Sequence, residues 1–362
     1  MIRMIPKSEL TQSIKGRGTT DQSVGRFERF QRVSVDDGWT SDDDVAPVRT
    51  QTRIEKPRKI ITKNTSPDLS FDRSVNPYRG CEHGCIYCFA RPTHAFLNMS
   101  PGLDFETQLL ARPSAPDLLA REISKKGYEV RPIAFGTNTD PYQPIEAKHR
   151  IMRGCLEVLR DFKHPVMITT KGILVERDVD ILREMAADGL VRVGITITTL
   201  DPKLSRQLEP RVPAPARLLK VLKLLSGAGV PTRVLMSPII PGLTDHEIEM
   251  VLEAAAIAGA THATFALLRL PLEVSVLFQD WLRTHHPAKF AKVMSRVRES
   301  HGGQDYDSKW GKRLHGEGKH AELIAQRFEL ACDRLGLSQE QAPLRSDLFK
   351  VPPRVGDQLS LF

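Results

Sequence analysis

The sequence predicts an α/β protein whose central unit is a partial (β/α)6 barrel of the TIM type. The first observation is that strand-like apolar runs alternate with helix-like stretches from Ser74 onward, the pattern of repeated β–α units around a parallel sheet. The second is that the chain supplies about six such units, whereas a closed barrel of this type needs eight. Such a barrel stays open on one side and has its working face at the carboxyl ends of its strands, which suits a bulky substrate.

Five apolar runs are predicted as strands: Pro132–Thr137, Val166–Thr170, Val191–Thr198, Thr232–Ser237 and Ala263–Leu268. Helices are predicted between them where apolar residues recur at helical spacing: Ala115–Lys126, Lys148–Phe162, Glu176–Ala187, Ala214–Ala228 and Asp245–Ala258. In the fourth of these helices, Leu218, Leu222 and Leu225 share one face, while Lys220 and Lys223 lie off it. Each helix therefore has an apolar side to pack against the sheet.

Three regions flank the barrel, which we place at residues 57–272. Residues 1–56 are rich in Gly, Ser, Thr and Asp and have no sustained apolar period, which predicts a disordered or loosely attached segment. Residues 273–340 are expected to be mostly helical and basic. Residues 341–362 contain a proline- and glycine-containing linker and are expected to form a flexible tail.

The composition indicates a soluble protein with a basic surface. A net charge of +8 favours polyanionic partners such as nucleic acid, although a basic surface that serves only solubility is also common. No apolar run is long enough to span a bilayer, and the first residues lack a secretion signal. Few cysteines, three of them clustered, suit a reducing compartment, so we expect a cytoplasmic location and no membrane association.

The most informative stretch of the chain is a short loop that carries Cys81, Cys85 and Cys88. Gly80 and Gly84 allow this loop to turn tightly enough to aim the three thiols inward. A [4Fe–4S] cluster is normally held by four thiolates, so three leave one iron open to another ligand. The spacing therefore favours an iron–sulfur cluster with an open coordination position.

Two other interpretations of this loop are a structural zinc site and a disulfide framework. A structural zinc ion would need a fourth ligand such as His83 or His94, but zinc sites usually combine two separate ligand pairs. The remaining cysteines, Cys155 and Cys332, are isolated and form no such pair. The odd number of cysteines argues against a disulfide framework.

The cysteine spacing, with Tyr87 just before the last thiol, resembles the radical S-adenosylmethionine (SAM) superfamily. The segments TNTDPYQP, TTKG and PIIPGLTD narrow the resemblance to the spore photoproduct lyase branch, and more closely to its bacterial members that are not tied to sporulation. The similarity covers roughly residues 56–340.

This resemblance implies a [4Fe–4S] cluster on the three cysteines, with SAM bound at the open iron. A flavodoxin or ferredoxin would deliver the electron that splits SAM and starts hydrogen abstraction from an inert C–H bond. In the lyase this chemistry reverses a covalent thymine dimer in DNA. The lyase also places a hydrogen-donating cysteine on the strand after the cluster loop, but residues 135–140 contain none, so either another donor such as Tyr142 serves or the reaction differs.

Polar residues lie on or after the predicted strands at the edge where SAM is expected. Thr139 and Asp140 are candidates for the SAM ammonium group, Lys171 for its carboxylate and Thr198 for its ribose. Arg233, on the following strand, is a further candidate. Each of these residues is also compatible with a routine turn at the end of a strand.

A glycine-containing loop in the basic region is a candidate nucleic-acid contact. Residues 283–320 contain nine Lys or Arg against four Asp or Glu. Cations in this loop suit phosphates, and its aromatic side chains suit stacking on an unpaired base, although aromatics that plug the core are the alternative. The candidate contact residues are Tyr306, Lys309, Trp310, Lys312 and Arg313.

The last five residues, Gln-Leu-Ser-Leu-Phe, resemble the motif by which bacterial DNA polymerases and repair proteins bind the replication sliding clamp. Leu361 and Phe362 would fill an apolar pocket, next to Leu359, with Gln358 bonded at its rim. The alternative is a tail that folds back onto the barrel.

Together these patterns favour a radical SAM enzyme that acts on damaged DNA and is recruited by the sliding clamp. Two other functions remain open from the sequence. One is a radical SAM enzyme that modifies RNA or a protein, and the other is a zinc-stabilised nucleic-acid-binding module without catalytic activity.

Overall fold

The structure is a computed structural model and describes residues 14–23, 25–27, 48–340 and 342–353. Its strands are β1 (Gln51–Ile54), β2 (Ile61–Lys63), β3 (Arg73–Val75), β4 (Tyr78–Arg79), β5 (Gln108–Ala111), β6 (Ile133–Phe135), β7 (Val166–Thr170), β8 (Val191–Thr196), β9 (Thr232–Ile239) and β10 (His262–Leu267). Its α-helices are α1 (Asp104–Thr107), α2 (Ala115–Ile123), α3 (Glu146–His149), α4 (Ile151–Asp161), α5 (Val179–Ala187), α6 (Pro202–Leu208), α7 (Pro215–Gly227), α8 (Ile248–Ile257), α9 (Glu273–His285), α10 (Phe290–Ser300) and α11 (Lys319–Leu335).

The main sheet has seven strands in the order β10-β9-β8-β7-β6-β3-β2. Six of them, β3 and β6–β10, run parallel to one another, and β2 pairs antiparallel with β3 at one edge. Within the described residues β10 does not pair with β2, so the sheet stays open. This architecture confirms the partial (β/α)6 barrel expected from the sequence.

The predicted elements are found close to their expected positions. Strand β7 has the predicted bounds, and its residues Val166–Ile168 are buried on both faces, as in a parallel sheet covered by helices. The five predicted helices appear as α2, α4, α5, α7 and α8, each a little shorter than expected. The largely helical region after the barrel is confirmed by α9–α11.

A second, three-stranded sheet in the order β1-β5-β4 supports the cysteine loop. Strand β4 ends at Arg79, directly before Gly80 and Cys81. Gly80 has φ of +74° and Gly84 has φ of +69°, a backbone conformation that favours glycine. The loop therefore begins at a fixed strand and turns at two glycines, as its sequence predicted.

For the part of the N-terminal segment that the structure describes, contacts of residues 14–23, 25–27 and 48–56 correct the expectation that residues 1–56 are loosely attached. Strand β1 pairs in parallel with β5. The buried side chain of Arg17 donates through Nη1 to the carbonyl oxygen of Glu106 at 3.1 Å, and the amide of Gly18 donates to Glu106 Oε2 at 2.9 Å. Composition alone missed these contacts because they depend on partners distant in sequence. We call residues 14–23 and 25–27 the N-terminal strap.

The described part of the C-terminal tail is anchored at the end of the main sheet where the parallel strands begin. Lys350 donates its amide to the carbonyl oxygen of Phe162 at 3.1 Å, just before β7. The ring of Phe349 contacts three aromatic rings at centroid distances of 5.7–6.2 Å, those of Tyr128, Phe162 and His164. The predicted clamp motif, Gln358–Phe362, lies outside the described residues.

A membrane-spanning segment would need a longer and more apolar helix than any in the described part of the chain.

Candidate active site

A cavity lies where the cysteine loop meets the carboxyl ends of the parallel strands. The loop contributes Cys81, Cys85 and Cys88, together with Tyr87 and Phe89. The strands and the turns after them contribute polar and apolar residues, among them Thr137, Asn138, Thr139, Asp140, Thr170, Lys171, Thr196, Ser237, Pro238, Leu267 and Arg269. The fold thus brings the cysteine loop and the polar strand ends into one space, on the face where (β/α) barrels carry their sites.

The three cavity cysteines are unbridged thiols. Burial raises the pKa of Cys88 to about 11 and raises the pKa of Cys85 as well, so a metal must displace their protons in binding. Among the described residues, no three His, Cys, Asp or Glu side chains are grouped closely enough to hold one metal ion. In a four-iron cluster each thiolate binds a different iron, so its ligands are spread more widely than those of one zinc ion. The donor set therefore fits a [4Fe–4S] cluster.

The two histidines considered as zinc ligands have other contacts. His83 Nδ1 lies 3.4 Å from Asp140 Oδ2. Burial opposes the charge of His83, but the attraction of Asp140 and Cys81 together raises the pKa of His83 to about 10. His94 Nε2 lies 3.0 Å from the carbonyl oxygen of Gln108, away from the cavity. Both imidazoles are thus engaged in holding the loop.

A buried ion pair fixes the backbone of the cysteine loop. Arg91 Nη2 lies 2.6 Å from Glu106 Oε1, and neither side chain is exposed to solvent. Arg91 also donates to the carbonyl oxygens of Gly84 at 3.1 Å and Cys85 at 3.0 Å. The sequence analysis did not predict this ion pair. The only local sign of it was an arginine three positions after the last cysteine. The pair sets the path of the backbone between two of the cluster ligands.

The segment after β6 is tied to the cysteine loop by hydrogen bonds. Thr139 donates its hydroxyl to the carbonyl oxygen of Gly80 at 2.6 Å, and Gln143 Nε2 donates to Thr139 Oγ1 at 2.9 Å. Gln143 Oε1 accepts the amide of Glu82 at 2.8 Å. Thr139 lines the cavity as predicted, but its hydroxyl proton is already used to hold the loop.

Asp140 links the end of β6 to the end of β7. It accepts hydrogen bonds from the hydroxyl of Thr170 at 2.6 Å and from the amide of Lys171 at 2.7 Å. Burial opposes the charge of this carboxylate, but His83 and these hydrogen bonds outweigh it and hold the pKa of Asp140 below its usual value. Asp140 is therefore an anion on the cavity wall.

Lys171 lies in a buried polar cluster that the sequence did not predict. Its Nζ atom lies 2.9 Å from Glu209 Oε1 and donates to Thr198 Oγ1 at 3.0 Å. The hydroxyl of Tyr87 also donates to Glu209. Burial opposes the charge of Glu209, but Lys171 and these donors outweigh it and lower the pKa of Glu209. Glu209, at the end of α6, was missed because its partners come from three other segments.

Two predicted site residues lie elsewhere. Arg233 is the second residue of β9, at the end of the sheet opposite the cavity, and burial lowers its pKa to about 10. Tyr142 is 1% exposed and lies close to Asp178 beneath the cavity, outside its lining. The structure therefore favours neither residue as a cavity ligand, because Arg233 lies at the start of its strand and the side chain of Tyr142 is enclosed in the core.

The predicted nucleic-acid loop lies beside the mouth of the cavity, and part of its charge is already paired. Arg313 Nε lies 2.6 Å from Asp68 Oδ2, and Lys312 pairs with Glu317. Trp310 is 60% exposed, and Lys309 is exposed as well. Tyr306 lies beside Arg269, a cavity residue.

Arg269 is a cation at the cavity mouth that the sequence did not single out. Its guanidinium carbon lies 4.1 Å from the centroid of the Phe89 ring. Burial lowers the pKa of Arg269, and no carboxylate in the described part of the chain pairs with it. It is thus available to an anionic or aromatic group that enters the cavity.

Comparisons with known proteins agree with this geometry. The radical SAM superfamily matches residues 75–255. An uncharacterized protein of Mycobacterium tuberculosis is 37% identical over 287 residues, which cover 78% of this chain and 83% of the relative. An uncharacterized protein of Methanocaldococcus jannaschii is 26% identical over 243 residues, which cover 67% of this chain and 86% of the relative.

Solved structures of spore photoproduct lyase have a similar fold. The structure of one mutant has a TM-score of 0.58 at 14% identity and covers 82% of this chain and 87% of its own. The complex with dinucleoside spore photoproduct has a TM-score of 0.57 at 14% identity and covers 79% of this chain and 80% of its own.

Proposed function

The chain belongs to the radical SAM superfamily and uses a [4Fe–4S] cluster and SAM, and from this premise we propose that it acts on damaged DNA. The observation that carries the proposal is the cavity shared by three free thiols, polar strand ends and Arg269, a cation with no carboxylate partner among the described residues. Radical chemistry needs a substrate C–H bond held beside the cofactor with water excluded. The open side of the sheet gives a large substrate access to that cavity.

The residues present would divide the work as follows. Cys81, Cys85 and Cys88 would hold the cluster, which on reduction splits SAM and supplies the radical. Lys171 would bind the SAM carboxylate, for which it must loosen its contact with Glu209. Asp140, which lines the same cavity, would accept hydrogen bonds from the SAM ammonium group.

Several features support a nucleic-acid substrate rather than a protein. The net charge is +8, and Arg269 and Phe89 at the cavity mouth offer a cation and a ring for a phosphate and a base. Exposed Trp310 and Lys309 lie on the neighbouring loop. The spore photoproduct lyase structure of similar fold is a complex with a dinucleoside lesion, which favours a DNA lesion for this chain as well.

The hydrogen donor differs from the lyase pattern. Residues 137–140 on the cavity wall include no cysteine, and Tyr142 lies outside the cavity. Tyr87 does line it, with its hydroxyl bonded to Glu209 and Thr198. We therefore favour a substrate related to spore photoproduct over that photoproduct itself.

The first experiment measures iron, acid-labile sulfide and SAM cleavage under anaerobic conditions with a strong reductant. The Cys85→Ala variant is expected to lose the cluster and SAM cleavage. Cys332→Ala is the matched control, because Cys332 is equally buried but lies on α11, outside the cavity. A colourless wild-type protein that holds one zinc ion and leaves SAM intact would refute the enzyme and favour the binding module.

The second experiment compares substrates. We expect ultraviolet-irradiated DNA to increase SAM cleavage, with little response to undamaged DNA or to RNA. Loss of a defined lesion would be followed by mass spectrometry. If RNA or a cellular protein is modified while irradiated DNA is unchanged, the alternative radical SAM functions replace this one.

We also propose that the C-terminal Gln-Leu-Ser-Leu-Phe binds the bacterial sliding clamp in the cytoplasm, where a flavodoxin or ferredoxin would supply electrons. Its support is the resemblance of the pentapeptide itself to clamp-binding motifs. Deletion of residues 358–362 is expected to abolish clamp binding in a pull-down and to leave SAM cleavage unchanged. Retained clamp binding would refute this part of the proposal.

A further inference from the structure

A second cavity, away from the cysteines, lies between α10, α11 and the turn after β9. We infer that this groove binds the phosphate backbone of DNA that extends beyond the active-site cavity, an inference that rests on the proposed DNA substrate. One wall of the groove is formed by Lys289, Lys292 and Arg296. Their spacing of three and four residues places them on one side of the helix.

The facing wall repeats the same spacing on α11. His320, Leu323 and Arg327 line it, again three and four residues apart. The two walls therefore run side by side along the groove, and Lys289, Lys292, Arg296 and Arg327 distribute four cations over it rather than placing charge at a single point. Over the seven helical steps from Lys289 to Arg296 the stripe extends about 10 Å, which corresponds to roughly three phosphates of one DNA strand.

The carboxylates of the groove are used to position its cations. Asp245, 7% exposed, lies 3.4 Å from Arg296 Nη1 and 3.1 Å from His320 Nε2. Glu249 accepts two hydrogen bonds from Arg327, at 2.8 and 2.6 Å. These contacts hold the side chains of Arg296, His320 and Arg327 in place along the groove.

The two lysines have no such partner. Lys289 and Lys292 are exposed, and neither pairs with a carboxylate in the described part of the chain. Exposed cations in a row next to fixed ones match the spaced charges of a nucleic-acid backbone better than a single small anion. They carry no base-reading chemistry, so the groove is expected to bind without sequence preference.

The position of the groove links it to the active site. Its floor includes Gly242 and Asp245, which follow β9, and the end of that strand supplies Ser237 and Pro238 to the first cavity. Both cavities are therefore on the same end of the sheet. A duplex whose damaged nucleotide enters the first cavity would place flanking phosphates on this side of the molecule.

The test uses the full-length protein with its cluster and a fluorescent DNA duplex of about 20 base pairs, with polarisation read between about 50 and 200 mM salt. The double variant Lys289→Glu/Lys292→Glu should weaken binding about tenfold or more at the lower salt concentration. The logarithm of the association constant falls linearly with the logarithm of the salt concentration, and each lost phosphate contact reduces the magnitude of this slope by about 1. The double variant should therefore reduce it by about 2.

The matched control is Lys220→Glu/Lys223→Glu, which makes the same charge change at the same spacing on exposed positions of α7. We expect this control to keep most of the affinity and the slope. Cluster content and SAM cleavage without DNA should be unchanged in both double variants, which shows that they fold.

Three outcomes would overturn the inference. In the first, the Lys289/Lys292 variant binds DNA as the control does. In the second, the wild-type protein does not bind DNA at all. SAM cleavage in the absence of DNA tests the enzymatic proposal separately, so the two failures can be told apart. In the third, an RNA duplex of equal length binds through the groove more tightly than DNA.

Discussion

The guanidinium of Arg91 and the carboxylate of Glu106 form an ion pair with an Nη2–Oε1 distance of 2.6 Å, completely enclosed beneath the cysteine loop. Arg91 also binds the carbonyl oxygens of Gly84 and Cys85, so the pair holds the backbone between two cluster ligands. Removal of one partner from a buried pair leaves an uncompensated charge, which typically costs about 3–5 kcal/mol. The site therefore depends on a residue with no direct part in the chemistry.

The first prediction concerns this pair. Glu106→Gln should lower the free energy of unfolding by about 3 kcal/mol and reduce the iron and sulfide bound per chain. Denaturation in urea and metal analysis measure the two effects. Asp347→Asn is the control, because the Arg345–Asp347 pair is more than half exposed on both sides and should contribute below about 1 kcal/mol. Equal effects of the two substitutions would contradict the role of Glu106 in holding the cysteine loop.

The second prediction concerns Lys171. Lys171→Met should weaken SAM binding by about 10- to 100-fold, because a charge-assisted hydrogen bond to the SAM carboxylate is lost. Anaerobic equilibrium binding of SAM to the cluster-loaded protein measures the change. Lys163→Met removes a lysine that pairs with Asp188 at the surface and should leave the affinity unchanged. An unaltered Kd in the Lys171 variant would exclude this lysine as a SAM ligand.

The third prediction concerns the N-terminal strap. A methyl group at Gly18 would lie 2.0 Å from the carbonyl oxygen of Gly84, inside the cysteine loop. Gly18→Ala should therefore displace the strap or the loop, lower stability by about 1–3 kcal/mol and reduce cluster loading. At Gly227 the same methyl group meets open space, so Gly227→Ala should be neutral or slightly stabilising. Wild-type cluster content in the Gly18 variant would show that the strap is dispensable.

The fourth prediction is a pH dependence of stability. Burial lowers the pKa of His164 to about 4, below the value of about 6.5 in an unfolded chain. Between these values the unfolded state binds the proton more readily, so stability is complete above pH 6.5 and declines as the pH falls towards 4. Acidification from pH 7.5 to pH 5.5 should therefore lower the free energy of unfolding by about 1 kcal/mol through His164.

This contribution is isolated by comparison with His164→Gln, in urea denaturation at the two pH values. The variant is expected to lose less stability on acidification than the wild type does. Parallel losses in the two proteins would mean that His164 is already protonated in the folded chain, or that it becomes accessible before unfolding.

The sequence predicted the sheet well because periodicity depends on local apolar pattern. Strand β7 was predicted to the residue, and the cysteine loop was recognised from its spacing. Lys171 and Asp140 were expected to lie near each other, and both line the cavity, because residues at the carboxyl ends of parallel strands share one edge. Such predictions need only the residue spacing within one segment and the rule that parallel strands end at the same edge of a sheet.

The errors share a different cause. Arg233 lies at the wrong end of its strand, and Tyr142 turns into the core, because a residue type does not fix its direction. Glu209, Arg91 and Arg17 were missed since their partners come from segments far apart in the chain. Pairing across the fold is decided by packing, which the local sequence does not encode.

Phe349 secures the described part of the tail among aromatic rings at the end of the sheet where the parallel strands begin, opposite the thiols. A partner that contacts residues 349–353 would therefore approach the end of the sheet opposite the active-site cavity. Recruitment through these residues would leave the entrance of that cavity free.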